Sequence, residues 1–378
     1  MTRLFCIGIL FILFYSCREE MNPVPGTEGG KSRIVQVLAG EGNSFFLRDN
    51  GDLYAVGLNS DGQLGNNSIE DIIVPAKVMG DVKAIAAGTM HTVILKKDGT
   101  VWATGNNRSG QLGDSTNTSS LTPIKVMEDV KAISAGGISS FFVTMDGKMW
   151  GTGGNDYGQL GISDDIFNRK IPSLISEDVE AVSNSRFHTI FLKSNGEVYK
   201  MGLDTTLEGV NENEYTYKIL SHPYVIENNV RDLHTNVLAT MMIKNDNTIW
   251  VRGARGSGRL GLGLNPDAGD ARVSTYVISD VIEASLGLFH SLIIKSDSTI
   301  WMSGINNYGQ LGSDMPERSD VFISSEKIGK VSMISAGLGH SIFVKDEKIW
   351  GLGDNSNHQI SPSDTQSFSE PVLIELNE

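Results

Sequence analysis

The sequence predicts an all-β protein, a seven-bladed β-propeller, on three observations. The tetrad Gly-Gln-Leu-Gly recurs from Gly62, Gly110, Gly158 and Gly309, with a Gly-Arg-Leu-Gly variant from Gly258. The first three copies are 48 residues apart (110 − 62 and 158 − 110), Gly258 and Gly309 are 51 apart, and the gap of 100 from Gly158 to Gly258 has room for one degenerate unit. In every unit an aromatic residue is followed three positions later by glycine: Tyr54, Trp102, Trp150, Tyr199, Trp250, Trp301 and Trp350, with Gly57, Gly105, Gly153, Gly202, Gly253, Gly304 and Gly353. Short sheets repeated every ~40–50 residues pack radially around an axis.

The units begin at Ile34, Val82, Val130, Val179, Val230, Val281 and Val331. Each opens with two short apolar runs joined to a third by a turn. Asn50-Gly51, Asp98-Gly99, Asp146-Gly147 and Asn195-Gly196 predict type I′ hairpins, because that turn needs positive φ at both central residues. Asp246-Asn247, Asp297-Ser298 and Asp346-Glu347 suit it less well and predict longer or looser turns. The aromatic slot reads as packing between units, and the glycine after it as a bend or a close approach of backbone. A last run carries proline at Pro75, Pro123, Pro172 and Pro223, which suits an outermost strand whose N–H need not join a ladder. The final such run, Pro371-Val372-Leu373-Ile374, is expected to dock beside Ile34-Val35-Gln36-Val37 and close the circle.

Read together, Ala-Gly-x-x-His, Asp-Gly-x-x-Trp and Gly-x-Asn-x-x-Gly-Gln-Leu-Gly resemble the regulator of chromosome condensation repeat, over nearly all of residues 34–378. The resemblance implies a seven-bladed propeller of that type. Its founder binds chromatin and promotes nucleotide exchange on the small GTPase Ran, using a wedge in its third blade. The third unit here keeps the plain period, with no inserted hairpin. Units four (Leu207-Glu208-Gly209-Val210) and seven (Asn357-His358-Gln359-Ile360) depart from the tetrad, so their blades are expected to be the least regular.

Residues 1–16 read as a secretory signal: one early charge, Arg3, then an apolar run too short to span a bilayer. Ser16-Cys17 resembles a lipoprotein cleavage box, which implies a lipid on Cys17. Residues 17–33 read as a flexible tether. The expectation is export, with the protein held at the outer membrane or cell surface, or on the periplasmic side. Cys6 and Cys17 are the only cysteines, so a disulfide within 34–378 is excluded, as is thiol chemistry there.

The formal charge is −14, which disfavours nucleic acid. One local exception, Arg252, Arg255 and Arg259 with Arg272 nearby, offers a contact for an acidic partner. The acidic, aromatic connection containing Tyr215 and Tyr217 offers another. His91, His188, His290 and His340 share one repeat position, which sets them too far apart around an axis to hold one ion; they read as structural. Asp164-Asp165 and Asn265-Pro266-Asp267 lack calcium-loop spacing. A lyase or hydrolase using paired carboxylates in the central channel is set aside, because no carboxylate pair is evident at repeated inward positions. The sequence therefore predicts a monomeric, membrane-anchored, extracytoplasmic binder of a protein or surface polymer, acting through loops on one face without catalysis or cofactor. The rival reading is a guanine-nucleotide exchange factor.

Overall fold

The computed structural model describes residues 32–162, 167–204, 218–237, 239–254, 256–263 and 271–377. The expected leader, Cys17 and the tether up to residue 31 lie outside them. So do the Leu207–Val210 segment of unit four, Asp164-Asp165, Asn265-Pro266-Asp267 and the contact candidates Tyr215, Tyr217 and Arg255.

The described residues form seven four-stranded antiparallel sheets, each with its strands in chain order from first to fourth. Blade one shows the plan: Ile34–Ala39, Asn43–Arg48, Leu53–Gly57 and Ile72–Met79. First strands of neighbouring blades lie against one another and line the axis. The second strand of each blade is deeply buried, as in His91–Lys96, where only the terminal lysine is partly exposed. Apolar clusters form between adjacent sheets. Phe45, Leu47, Leu53 and Leu64 of blade one pack with Val82, Ile85 and Ile94 of blade two, and Trp102 closes the cluster from outside. Trp301 plays the same part for the core between blades five and six. The aromatic slot is thus inter-blade packing, as its repetition predicts. Pro75, Pro123, Pro172, Pro223 and Pro371 all fall in fourth strands, at the rim.

The glycine after each aromatic takes φ between +95° and +119° in all seven blades. At Gly105 an added Cβ would lie 2.5 Å from the Met90 carbonyl oxygen and 2.8 Å from the His91 Cα, so the second strand passes too close for any side chain.

Three expectations are corrected. The ring does not close by strand exchange. Ser367–Ile374 pairs with Lys348–Asp354 inside blade seven, because each unit already supplies all four strands of its own sheet. Closure comes instead mainly from side chains: Val37, Phe46, Tyr54 and Val56 of blade one pack with Ile342, Val344, Ile349 and Ile374 of blade seven, and the Leu338 amide donates to the Gly40 carbonyl at 3.2 Å.

The hairpin turns also differ. In six blades the turn spans three residues, and only its last has positive φ: Gly51, Gly99, Gly147, Gly196, Asn247 and Ser298. The amide of that residue donates to the carbonyl three residues back, as Gly51 does to Arg48 at 2.9 Å and Asn247 to Lys244 at 3.0 Å. This is a type I turn with a G1 bulge. Asn247 and Ser298 fit it at φ 64° and 70°, so those turns are no looser than the glycine ones. The type I′ turn occurs where it is least expected, at Asp346-Glu347, with φ 50° and 60°. Lys345 pairs directly with Lys348 there. The unit is one residue shorter from His340 to Trp350 than from His91 to Trp102, which forces the two-residue loop.

Blade seven departs from the others in its first strand, Met333–Ala336, the shortest of those described, and in its hairpin, but its tetrad loop keeps the pattern. His358 occupies the first tetrad position at φ 57°, and the glutamine and aliphatic positions are kept as Gln359 and Ile360.

Candidate functional site: the polar ring and the loop face

The recurrent polar residues are tied up in building loops and joining blades. The asparagine of Gly-x-Asn is the first. Asn59, Asn107, Asn155, Asn306 and Asn355 each accept a hydrogen bond at Oδ1 from the tetrad's aliphatic amide, at 2.8–3.0 Å. Each also donates from Nδ2 to carbonyls of the loop that follows, as Asn355 does to Ser361, Ser363 and Thr365. The tetrad glutamine is the second. Gln63, Gln111, Gln159, Gln310 and Gln359 accept at Oε1 from the amide two residues earlier, each at 2.9 Å. The glutamines are buried, as are these asparagines except the partly exposed Asn306, so the side chains are turned into the fold.

A hydroxyl joins each tetrad to the next blade. Ser44, Thr92, Ser140, Thr189 and Ser341 donate to the carbonyl oxygens of Gln359, Gln63, Gln111, Gln159 and Gln310, at 2.7–2.8 Å. Ser291 does the same to Arg259 at 2.6 Å. The four repeated histidines build on this. His91, His290 and His340 set Nε2 at 2.9, 2.8 and 3.0 Å from the hydroxyls of Ser140, Ser341 and Ser44, always on the following blade. Each hydroxyl has already given its one hydrogen to a carbonyl, so the imidazole must donate from Nε2. His188 is the exception. Its Nδ1 lies 3.0 Å from the Val237 carbonyl, which can only accept, so Nδ1 carries the hydrogen and Thr240 donates to Nε2 at 3.0 Å. Burial pushes His91 and His340 down to about 4, and His188 and His290 to about 3. These imidazoles are structural, as expected, but they bond side-chain hydroxyls more than backbone.

The axial wall holds residues the sequence reading missed. Ser134, Ser183, Ser285 and Ser335 each accept an amide hydrogen from the next blade's first strand, at 2.9–3.1 Å. Asp232 and Glu283 stand at equivalent positions of the first strands of blades five and six, so a carboxylate pair does occur at repeated inward positions. Asp232 Oδ2 lies 3.2 Å from His234 Nε2, and Glu283 Oε1 accepts from the Ile334 amide at 3.1 Å. Burial first, and the Asp232 charge besides, raise Glu283 to about 7; the Asp232 carboxyl is held below its usual value against burial by His234. The bulge-like spacing of the first strand hid this alignment, because only the fold shows which residues face the axis.

Of the predicted basic spot, Arg252 and Arg259 turn inward. Arg252 is buried; its Nη2 donates to Tyr224 Oη at 3.0 Å and lies 3.8 Å from Asp204, which also holds Lys200 at 3.1 Å. Asp204 takes the place of the repeated asparagine. Arg259 is buried too and donates to the Leu288 carbonyl, the equivalent of the bond from Gln159 to Arg186. The tetrad variant thus keeps the glutamine's role with a longer arm. Neither side chain projects toward a partner.

Four-stranded blades in chain order, knitted by tetrad, hydroxyl and imidazole, define a propeller of tandem repeats with one loop-rich face. The RCC1-like domain profile matches residues 16–271, and the chain belongs to that family. It is similar to the regulator of chromosome condensation of Xenopus laevis, 26% identical over 169 residues, covering 42% of this chain and 38% of that one. The human protein of the same name is 25% identical over 163 residues, covering 40% and 37%. The matched segment thus spans well under half the length of these curated relatives. Among solved structures, human WBSCR16 superposes with a TM-score of 0.75 at 20% identity, covering 86% of this chain and 94% of that one. Yeast RCC1 (Prp20), solved bound to Kap60, gives 0.74 at 18% identity, covering 95% and 91%. At those identities the likeness is one of fold.

Proposed function

We propose that the protein is a non-catalytic, lipid-anchored, extracytoplasmic propeller that binds a protein or surface polymer through loops on one face. The observation that carries this reading is where the recurrent polar residues go. Asparagine, glutamine, hydroxyl and imidazole are consumed in buried bonds within and between blades, so recognition falls to the loop residues that differ from blade to blade. The Ser16-Cys17 box and the polar stretch after it supply the anchor and tether. Guanine-nucleotide exchange, the alternative, has no support from the third unit's plain length.

Mass spectrometry of the mature protein tests the anchor: acylated Cys17 at the N-terminus is expected, and an intact Met1 contradicts it. Proximity labelling on intact cells, followed by capture on the soluble 34–378 fragment, tests the binding. Recovery of the same extracytoplasmic partner by both routes is expected; recovery of only abundant cytoplasmic proteins contradicts it. Acceleration of nucleotide release from a small GTPase would favour the alternative.

A further inference from the structure

Three exposed cations share the tetrad face although they are far apart in sequence: Arg108 and Lys170 stand together at the rim, and Arg186 lies on the axial side. Arg108 precedes the second tetrad, Lys170 lies in the fourth strand of blade three (Asn168–Ser176), and Arg186 sits between the first two strands of blade four. Their backbones form one continuous path. A Cβ on Gly110 would touch the Lys170 Cα at 2.8 Å, which places Arg108 beside Arg169 and Lys170. Asn168 lies against Gly154, and Gly154 against Ile138. The adjoining Gly137 approaches the Arg186 Cα, at 2.5 Å from its own added Cβ. Among the described residues, no carboxylate pairs with the head groups of Arg108, Lys170 or Arg186; the Arg186 guanidinium lies over the Phe187 ring at 5.5 Å. This contrasts with the opposite, hairpin face, where Lys77 and Lys148 are bridged to Asp52 and Asp146.

Apolar side chains stand among these cations. Phe167 is 64% exposed and Ile171 61%, two of the highest values for large apolar residues in the molecule. Phe187 packs edge-on against Tyr157, centroids 4.7 Å apart. These cations and exposed apolar groups share the face with the exposed Asp156 and with Asp114, whose oxygens are bonded to Asn107 and Thr116, on a chain of formal charge −14 whose field repels most anions.

We propose that the tetrad face of blades two to four, through Arg108, Lys170 and Arg186 with Phe167 and Ile171, docks an acidic polypeptide segment that also carries apolar side chains. The charge complementarity selects an anion. An exposed aromatic could stack on a sugar ring, but the aliphatic Ile171 beside Phe167 favours a polypeptide with apolar side chains over a polysaccharide. The proposal rests on the binding reading above and names its face and its partner's chemistry.

A labelled random Glu–Tyr copolymer is the probe, with heparin and anionic phosphatidylglycerol vesicles as competing arms, read by fluorescence anisotropy and co-sedimentation on the full chain. The copolymer is expected to bind, and to weaken steeply with salt. Reversal of all three charges (Arg108→Glu, Lys170→Glu, Arg186→Glu) is expected to weaken it by about tenfold or more, and Phe167→Ser with Ile171→Ser to weaken it without changing the salt slope. Charge reversal at Lys77 and Lys148 on the other face is expected to leave binding unchanged, and circular dichroism checks that each variant is folded. Equal loss on either face overturns the proposal, as does tighter binding to heparin or vesicles than to the copolymer. If cell-derived partners are still captured by the triple variant, the face assignment fails while the binding reading stands.

Discussion

His340 in blade seven reaches across the seam to Ser44 in blade one, with Nε2 3.0 Å from the hydroxyl, and Ser44 hands its own hydrogen back to the Gln359 carbonyl at 2.8 Å. The seam between first and last blade is therefore joined by the same three-part link as the seams at His91 and His290. Ser44→Ala strands both a buried imidazole N–H and a buried carbonyl, and is expected to destabilise by about 1–3 kcal/mol. Thr92→Ala removes the same bond to a tetrad carbonyl where the preceding blade has Asn43 in place of histidine, so it should cost less. Urea denaturation of the two variants decides; equal losses would remove the imidazole from the account.

The four histidines set an acid limit. Their folded values are near 3–4, below the ordinary 6.5, so the unfolded chain binds protons first as pH falls. Their stabilisation is complete above about pH 6.5 and is lost between there and pH 3–4, at on the order of 2 kcal/mol per imidazole by pH 5. Denaturation midpoints should fall from pH 7 to pH 5. The fall should be shallower in a His91→Asn variant, and identical slopes would contradict the assignment.

Glu283 works in the opposite sense. Its folded value, about 7, lies above the ordinary 4.5, so its contribution is complete below pH 4.5 and is lost as pH rises through 7. Glu283→Gln keeps an oxygen for the Ile334 amide and has no charge to bury. It is expected to be more stable than the parent at pH 8 and to lose that advantage by pH 5. A variant less stable than the parent at pH 8 would show that the ionised carboxylate is well accommodated.

The Asp346-Glu347 turn holds two non-glycine residues at positive φ. Glu347→Gly, the residue that type I′ turns prefer, should raise stability by about 1 kcal/mol. A thermal melt reads it, and an unchanged or lower midpoint would mean that Glu347 makes a compensating contact.

Gly105→Ala tests the close approach of the third strand to the second. The added carbon meets backbone at 2.5 and 2.8 Å at φ +105°, so the strands must separate. A loss of about 3 kcal/mol or more is expected. A neutral result would place the Met90 carbonyl elsewhere.

Much of the fold was legible because its determinants are local. Tetrad, aromatic, glycine and proline recur at fixed offsets and name the blade number and strand order directly. What escaped depends on one residue more or less, or on proximity across blades. The shortened loop at Asp346-Glu347 put the type I′ turn in a unit that has no glycine there. The final strand was free in sequence to pair either way, and its own blade offered the nearer ladder. Arg252 and Arg259 are close in sequence and read as a surface patch, yet each fills a slot that faces the neighbouring blade. Arg108 and Lys170 are more than a blade length apart in sequence and come together only through the radial packing, which sets Arg186 on the same face.

The central claim is that seven sheets form one ring whose seam is as firm as its other joints, closed by side chains without an exchanged strand. Hydrogen–deuterium exchange followed by mass spectrometry tests it most directly. The account predicts that the second strands of blades one and seven (Asn43–Arg48 and His340–Lys345) exchange as slowly as that of blade three (Ser139–Thr144), and that all three are released together in one cooperative opening. Early exchange confined to blades one and seven would show an open seam and contradict it.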